Sequence, residues 1–138
     1  MKLKQFLVLF TMLGFLACSS SSEGENKPVD HSAAPAQNTI YERLNVPDFQ
    51  AKLATVPNPQ LVDVRTPEEF ANGNIAGAVN INIHDADFLQ NINKIDKNKP
   101  VFVYCQAGGR SKKCAEKMKS LGFSEIYELE PGYAGWEH

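Results

Sequence analysis

Cys105, Gly108, Gly109 and Arg110 share one short stretch, "VFVYCQAGGRSKKCAEKMKSLGF", that runs from Val101 to Phe123. The cysteine ends an apolar run, and the pattern turns helical just after the arginine. That order suits a thiol activated as a thiolate. Gly108 and Gly109 are expected to take positive φ angles, so that amides of the loop from Gln106 and Ala107 to Ser111 converge on one centre. A helix starting at about Arg110 or Ser111 adds its N-terminal partial positive charge, and the Arg110 guanidinium adds a full one. All three favour the nucleophilic form. A cysteine with a pKa of about 8.5 is roughly 3% thiolate at pH 7, whereas one at about 6.5 is about three-quarters thiolate.

Other chemically capable residues read more plainly. Cys114 falls with Met118 and Leu121 at i, i+4 and i+7 of that helix, the pattern of a buried core thiol rather than of a partner for an oxidised Cys105. Asp63 and Arg65 stand at a strand end, where Arg65 is expected to form a structural ion pair with Glu68 or Glu69. His84 follows another strand end without a second histidine or cysteine at metal-ligand spacing, so it carries no role and no metal or other cofactor is expected. Trp136 is expected to anchor the C-terminal turn by packing.

The elements that must position these groups alternate between short apolar runs and helical patterns. "TIYERL" suits a strand, and Val46, Phe49 and Leu53 are at helical spacing. "LVDVR", Leu61 to Arg65, has the β-branched character of a buried strand. In "TPEEFANG", Thr66 as N-cap, Pro67 at the first helical position and Glu69 three residues after the cap form a capping box, with Gly73 suited to the stop. "AVNINI" predicts a strand, and Phe88, Ile92 and Ile95 mark a helix face. "VFVYC" is the next strand, Ser111 to Leu121 the next helix and "EIYEL" the last strand. The alternation predicts an α/β fold, a mostly parallel sheet of about five strands with helices on both faces, in which ligands bind outside the carboxyl ends of the strands. Cys105 is at one of those ends.

At these residues the chain resembles the single-domain rhodaneses, a sulfurtransferase family, over Thr39 to His138. "DVRTPEEFANGNIAGAVNI" is similar to the family's Asp-Val-Arg stretch and its Gly-His-Ile-x-Gly-Ala-x-Asn block. "VYCQAGGRS" resembles the Cys-x-x-Gly-x-Arg-Ser loop, and "LEPGYAGW" the Gly-Gly-x-x-x-Trp ending. Asn74 replaces the block's histidine, and Pro131 replaces the first glycine of the ending and is expected to stiffen the last turn. The resemblance implies a three-layer rhodanese-like fold and a persulfide on Cys105, cradled by Gln106, Ala107, Gly108, Gly109, Arg110 and Ser111. Sulfur would pass from a donor such as thiosulfate to cyanide or a thiol, or between protein partners if the domain is a sulfur carrier or thiol-redox partner. Cysteine phosphatases place five residues between cysteine and arginine, whereas four stand between Cys105 and Arg110, and Tyr104 replaces the histidine that usually precedes. The smaller loop suits a sulfur atom better than a tetrahedral oxyanion.

The N-terminus is different in kind. Lys2 and Lys4 precede an apolar stretch from Phe6 to Ala17, well short of the roughly 20 residues a bilayer core requires, so residues 1–17 read as an export signal. Phe15-Leu16-Ala17-Cys18 resembles the lipobox of bacterial lipoproteins, which implies acylation of Cys18 and a lipid-anchored protein of the cell envelope, facing the periplasm or the cell surface. The Ser-, Gly- and Pro-rich stretch to Asn38 is expected to be a tether reaching roughly 25 Å.

Composition bounds the rest. The length of 138 residues and 43% hydrophobic content suit one globular domain behind the tether. Without Lys2 and Lys4, the 14 basic and 16 acidic residues give a net charge of −4, and no basic patch points to nucleic acid. An exported domain with only Cys105 and Cys114 has no evident structural disulfide. An exposed, low-pKa Cys105 there must be kept reduced or loaded with sulfur.

Overall fold

The computed structural model describes residues 38–136. The expected export signal, Cys18 and the expected tether as far as residue 37 lie outside the described residues.

The described chain begins with β1 (Ile40–Leu44) and α1 (Val46–Thr55). Asn45 caps α1 by accepting the Asp48 amide at 2.9 Å, and a proline in the first turn has no amide to lose. β2 (Gln60–Asp63) leads to α2 (Pro67–Ala71), which starts in the expected capping box. The Thr66 hydroxyl accepts from Glu69 N, and the Glu69 carboxylate accepts from Thr66 N. β3 (Val79–Asn80), α3 (Phe88–Ile92), β4 (Val101–Tyr104), α4 (Gly109–Ser120) and β5 (Glu125–Leu129) follow, and a 3-10 turn, Tyr133–Gly135, closes the described chain.

The five strands pair in the order β1-β5-β4-β2-β3, and every pair is parallel. Apolar clusters pack on both faces. Val62, Val103 and Ile126 meet Phe88 and Ile92 of α3 and Cys114, Ala115 and Met118 of α4 on one. Leu61, Phe102, Tyr104 and Tyr127 meet Phe49 of α1, Ile75, Tyr133 and Trp136 on the other. Burying each large side chain contributes about 1.5–3 kcal/mol, so the two helical layers hold the central strands in place. This is the expected α/β architecture.

Three local expectations need correction. β2 stops at Asp63 rather than Arg65, because the Arg65 amide turns to Asp63 Oδ1 at 2.9 Å. The strand expected over "AVNINI" is confined to Val79–Asn80 at the sheet edge. The helix after the loop starts at Gly109, before Arg110 or Ser111, so only Gly108 takes a positive φ, 81°, while Gly109 is helical.

Candidate active site

β4 delivers Cys105 at its carboxyl end, and the loop residues Gln106 to Gly108 join it to α4. The loop can turn this tightly because of Gly108. A Cβ there would come within 2.2 Å of the Glu130 carbonyl oxygen, in addition to the strain of the positive φ. The C-terminal turn clamps the loop from the other side. Tyr133 N donates to Cys105 O at 2.7 Å and Ala134 N to Gln106 O at 3.0 Å. Gly132 permits that approach, since a Cβ would meet both carbonyl oxygens at 2.5 and 2.6 Å.

Cys105 is only 1% exposed, so the thiol expected at the surface is buried. Burial pushes its pKa up, but the Ser111 hydroxyl and the amides of Ser111, Ala107 and Arg110 push it down further, and the balance lies below the ordinary thiol value. Ser111 Oγ is 3.5 Å from the sulfur. The converging amides and helix start expected from the sequence are therefore in place.

The guanidinium of Arg110, expected to add its charge beside the sulfur, is paired with a carboxylate. Nη1 and Nη2 donate to Oε2 and Oε1 of Glu69, each at 2.6 Å. The bonds from Arg110 hold the Glu69 carboxyl down to about 2. Arg110 offers the sulfur its backbone N–H, and its guanidinium, paired with Glu69, also acts on Cys105 by charge. Arg65 does not take Glu68 or Glu69 as its partner. It is buried against Asp63, with Nη2 to Oδ2 at 2.7 Å, and its other bonds reach Gly73 O at 2.7 Å and Gln106 Oε1 at 3.0 Å. Its guanidinium also stacks 4.1 Å from the centre of the Tyr133 ring. Arg65 thus ties the end of α2, the loop and the C-terminal turn together, and Gln106 serves as one of its anchors.

The remaining residues are placed simply. Cys114 is fully buried in the core, and burial, with the Glu128 and Cys105 charges, pushes its thiol up to about 12. Trp136 packs edge-on to Phe49 at 6.2 Å, as a packing anchor should. Asn74 donates to Phe70 O at the end of α2, and Pro131 is part of the turn in which Gly132 N donates to Leu129 O. His84 donates its backbone N–H to Asn82 Oδ1 at 3.1 Å. Among the described residues, no three His, Cys, Asp or Glu side chains gather as metal ligands.

Two participants escaped the sequence reading. Glu69 stood as half of a capping box and as a candidate partner of Arg65, not of Arg110. Glu128 is a fully buried carboxylate whose Oε1 accepts from Ser111 Oγ at 2.9 Å. The signal for it was a charged residue on the same inward face of "EIYEL" as Ile126.

A family model for the rhodanese-like domain matches residues 46–138. The chain belongs to the rhodanese-like domain family. The thiosulfate sulfurtransferase GlpE of Stutzerimonas stutzeri is 35% identical to this rhodanese-like chain over 101 residues, 72% of the chain and 88% of that protein. The putative sulfur carrier protein YrkF of Bacillus subtilis is 26% identical over 123 residues, covering 85% of the chain and 64% of that protein. A solved rhodanese-like domain protein from Staphylococcus aureus superposes with a TM-score of 0.62 at 30% identity, over 70% of this chain and 91% of that one. In this rhodanese-like fold Cys105 is at the carboxyl end of a central strand, where strand, loop and helix N-terminus meet.

Proposed function

We propose that the chain is a sulfurtransferase that holds sulfane sulfur as a persulfide on Cys105, taking it from a donor such as thiosulfate and passing it to cyanide or a thiol. The observation that carries this reading is a buried sulfur with a lowered pKa at the focus of the Ser111 hydroxyl and the Ala107, Arg110 and Ser111 amides. The Cys105 thiolate attacks the outer sulfur of thiosulfate; a new S–S bond forms as the old one breaks, and sulfite leaves with the electron pair. The same amides then stabilise the anionic persulfide. Cyanide attacks the terminal sulfur, thiocyanate leaves, and the thiolate is restored.

A second reading, a sulfur carrier or thiol-redox partner that exchanges with another protein, is favoured by the Arg110–Glu69 pair. Its two terminal nitrogens are already engaged by a carboxylate, so a small dianionic donor finds no free guanidinium there. We further propose that Cys18 is acylated and that the domain works on a tether at the cell envelope, as its lipobox-like start implies.

Intact-mass measurement of the purified chain after thiosulfate, then after cyanide, tests the function. Gain and fast loss of one sulfur atom is the result expected of the enzyme. Loading without discharge to small acceptors would point to the carrier, and no loading from any sulfane donor would overturn both readings.

A further inference from the structure

Behind Cys105 runs a chain of hydrogen bonds that the transfer reaction above uses only as far as the Ser111 hydroxyl. Ser111 Oγ faces the sulfur at 3.5 Å, Gly108 O at 3.1 Å and Glu128 Oε1 at 2.9 Å. On its far side, Glu128 Oε2 accepts from the Tyr41 hydroxyl and, at 3.0 Å, from Arg43 Nε. Glu128 is 0% exposed and Ser111 is also 0% exposed.

A hydroxyl has one proton to donate, and that limits the states of the chain. While Cys105 is a thiol, Ser111 donates to the Glu128 carboxylate, the stronger acceptor, and accepts from the S–H. Once Cys105 is a thiolate, the Ser111 proton turns to the sulfur beside the amides of Ser111, Ala107 and Arg110. Glu128 Oε1 would then be a buried carboxylate oxygen without its donor, one hydroxyl away from a second buried anion. A protonated Glu128, donating back to Ser111, keeps every group bonded while the hydroxyl serves the sulfur.

We propose that Glu128 is a positioning residue that takes the Cys105 proton through Ser111 and returns it when the thiol reforms. The S–H bond breaks and its electron pair stays on sulfur; that proton bonds to Ser111 Oγ, whose own proton passes to Glu128 Oε1. Nothing is oxidised or reduced, and the net charge of the buried site does not change. The thiolate is thus formed without release of a proton to solvent. The inference rests on Cys105 being the reactive thiol of the proposed function, but its test does not depend on sulfur transfer.

The groups around Glu128 leave a clear window for the measurement. Tyr41 and Arg43 face it from β1, Ser111 and Cys114 from α4, and Val103 pairs with it from β4. Glu130 binds Arg43, and Glu116 and Lys119 of α4 act on Tyr41. Tyr41, Arg43 and Cys114 are all pushed above their ordinary values, so none of the three changes charge between about pH 5 and 8.

The experiment is the pH dependence of Cys105 alkylation by iodoacetamide in the full chain, read by peptide mass. Wild type should keep a reactivity plateau at low pH, because thiolate and thiol then share one protonation state. Glu128→Gln and Ser111→Ala should lose it, their rates falling about tenfold per pH unit below the thiol pKa. Ser111→Thr, which keeps the hydroxyl, should retain it. A second measurement needs no Glu128 variant: the infrared carbonyl band of a protonated carboxyl should accompany the thiolate absorbance in wild type and be lost in Cys105→Ser. Superimposable profiles for wild type and Glu128→Gln, or thiolate absorbance without that band, would overturn the relay. A plateau without sulfur loading would instead count against the transferase reading and leave the relay standing.

Discussion

Arg110 and Glu69 grip one another through two parallel hydrogen bonds, Nη1 to Oε2 and Nη2 to Oε1, each 2.6 Å long. Glu69 is itself held by the Thr66 amide at 3.0 Å, so the carboxylate is fixed to the start of α2. Any anionic donor that uses Arg110 must displace it. Glu69→Gln is expected to raise kcat/KM for thiosulfate about three- to tenfold. Arg110→Ala is expected to lower it roughly ten- to a hundredfold, the equivalent of a charge-assisted hydrogen bond of about 1.5–3 kcal/mol, and Arg110→Lys to recover only part. Steady-state kinetics on the three variants decides this. An unchanged Glu69→Gln would mean that the pair does not compete with donor.

The same pair sets a pH dependence of stability. The folded-state pKa of Glu69, about 2, is below its ordinary 4.5, so the ion pair contributes fully above about 4.5 and its contribution is lost as pH falls through about 2. Thermal melts at stepped pH should show a smaller loss over that window in Glu69→Gln than in wild type. Equal slopes would refute the assignment.

The two described cysteines should separate cleanly. Cys105→Ser is expected to abolish thiocyanate formation. Cys114→Ser keeps most of it and lowers stability by about 1–3 kcal/mol, the cost of placing a hydroxyl in an apolar core. Denaturant melts and turnover on both variants provide the check, and a folded but inactive Cys114→Ser would argue for a two-cysteine redox reaction.

The adjacent glycines should respond in opposite directions. Gly108→Ala meets the Glu130 carbonyl and a positive φ, so it should cost more than about 1 kcal/mol and raise the pH at which Cys105 alkylates. Gly109→Ala adds a methyl to a helical residue with no atom within 4 Å of the new Cβ, and should stabilise by about 0.4–1 kcal/mol. Equal melting midpoints for the two variants would show that the loop adapts to either side chain.

At the N-terminus, wild type should partition with membranes and carry acyl chains on Cys18, and Cys18→Ala should lack them. Fractionation with lipid mass analysis tests this. Recovery of wild type only as a soluble, unacylated protein would remove the anchor.

Much of the architecture was legible because it depends on neighbours along the chain. The capping box needs only Thr66, Pro67 and Glu69; the alternation of apolar runs with helical periods needs only local spacing; and Cys105 before Gly108 and Arg110 already implies a thiol beside a helix start. Element ends were less legible. β2 stops where Asp63 captures the next free amide, and α4 starts one residue early because Gly108 alone makes the turn.

By itself, then, the sequence determined the α/β class, the place of Cys105 at a strand end and the glycine turn that leads into the next helix, since each follows from residues close together in the chain. Only the tertiary structure decided the partners of the charges. Arg110 bonds Glu69 across 41 positions, Arg65 bonds Gln106 across 41, and Ser111 bonds Glu128 across 17. The physical reason is that several carboxylates are equally available to each cation or hydroxyl on paper. Parallel strands bring distant residues to one sheet end, and exclusion of water there makes each buried polar group take whichever partner packing places within reach.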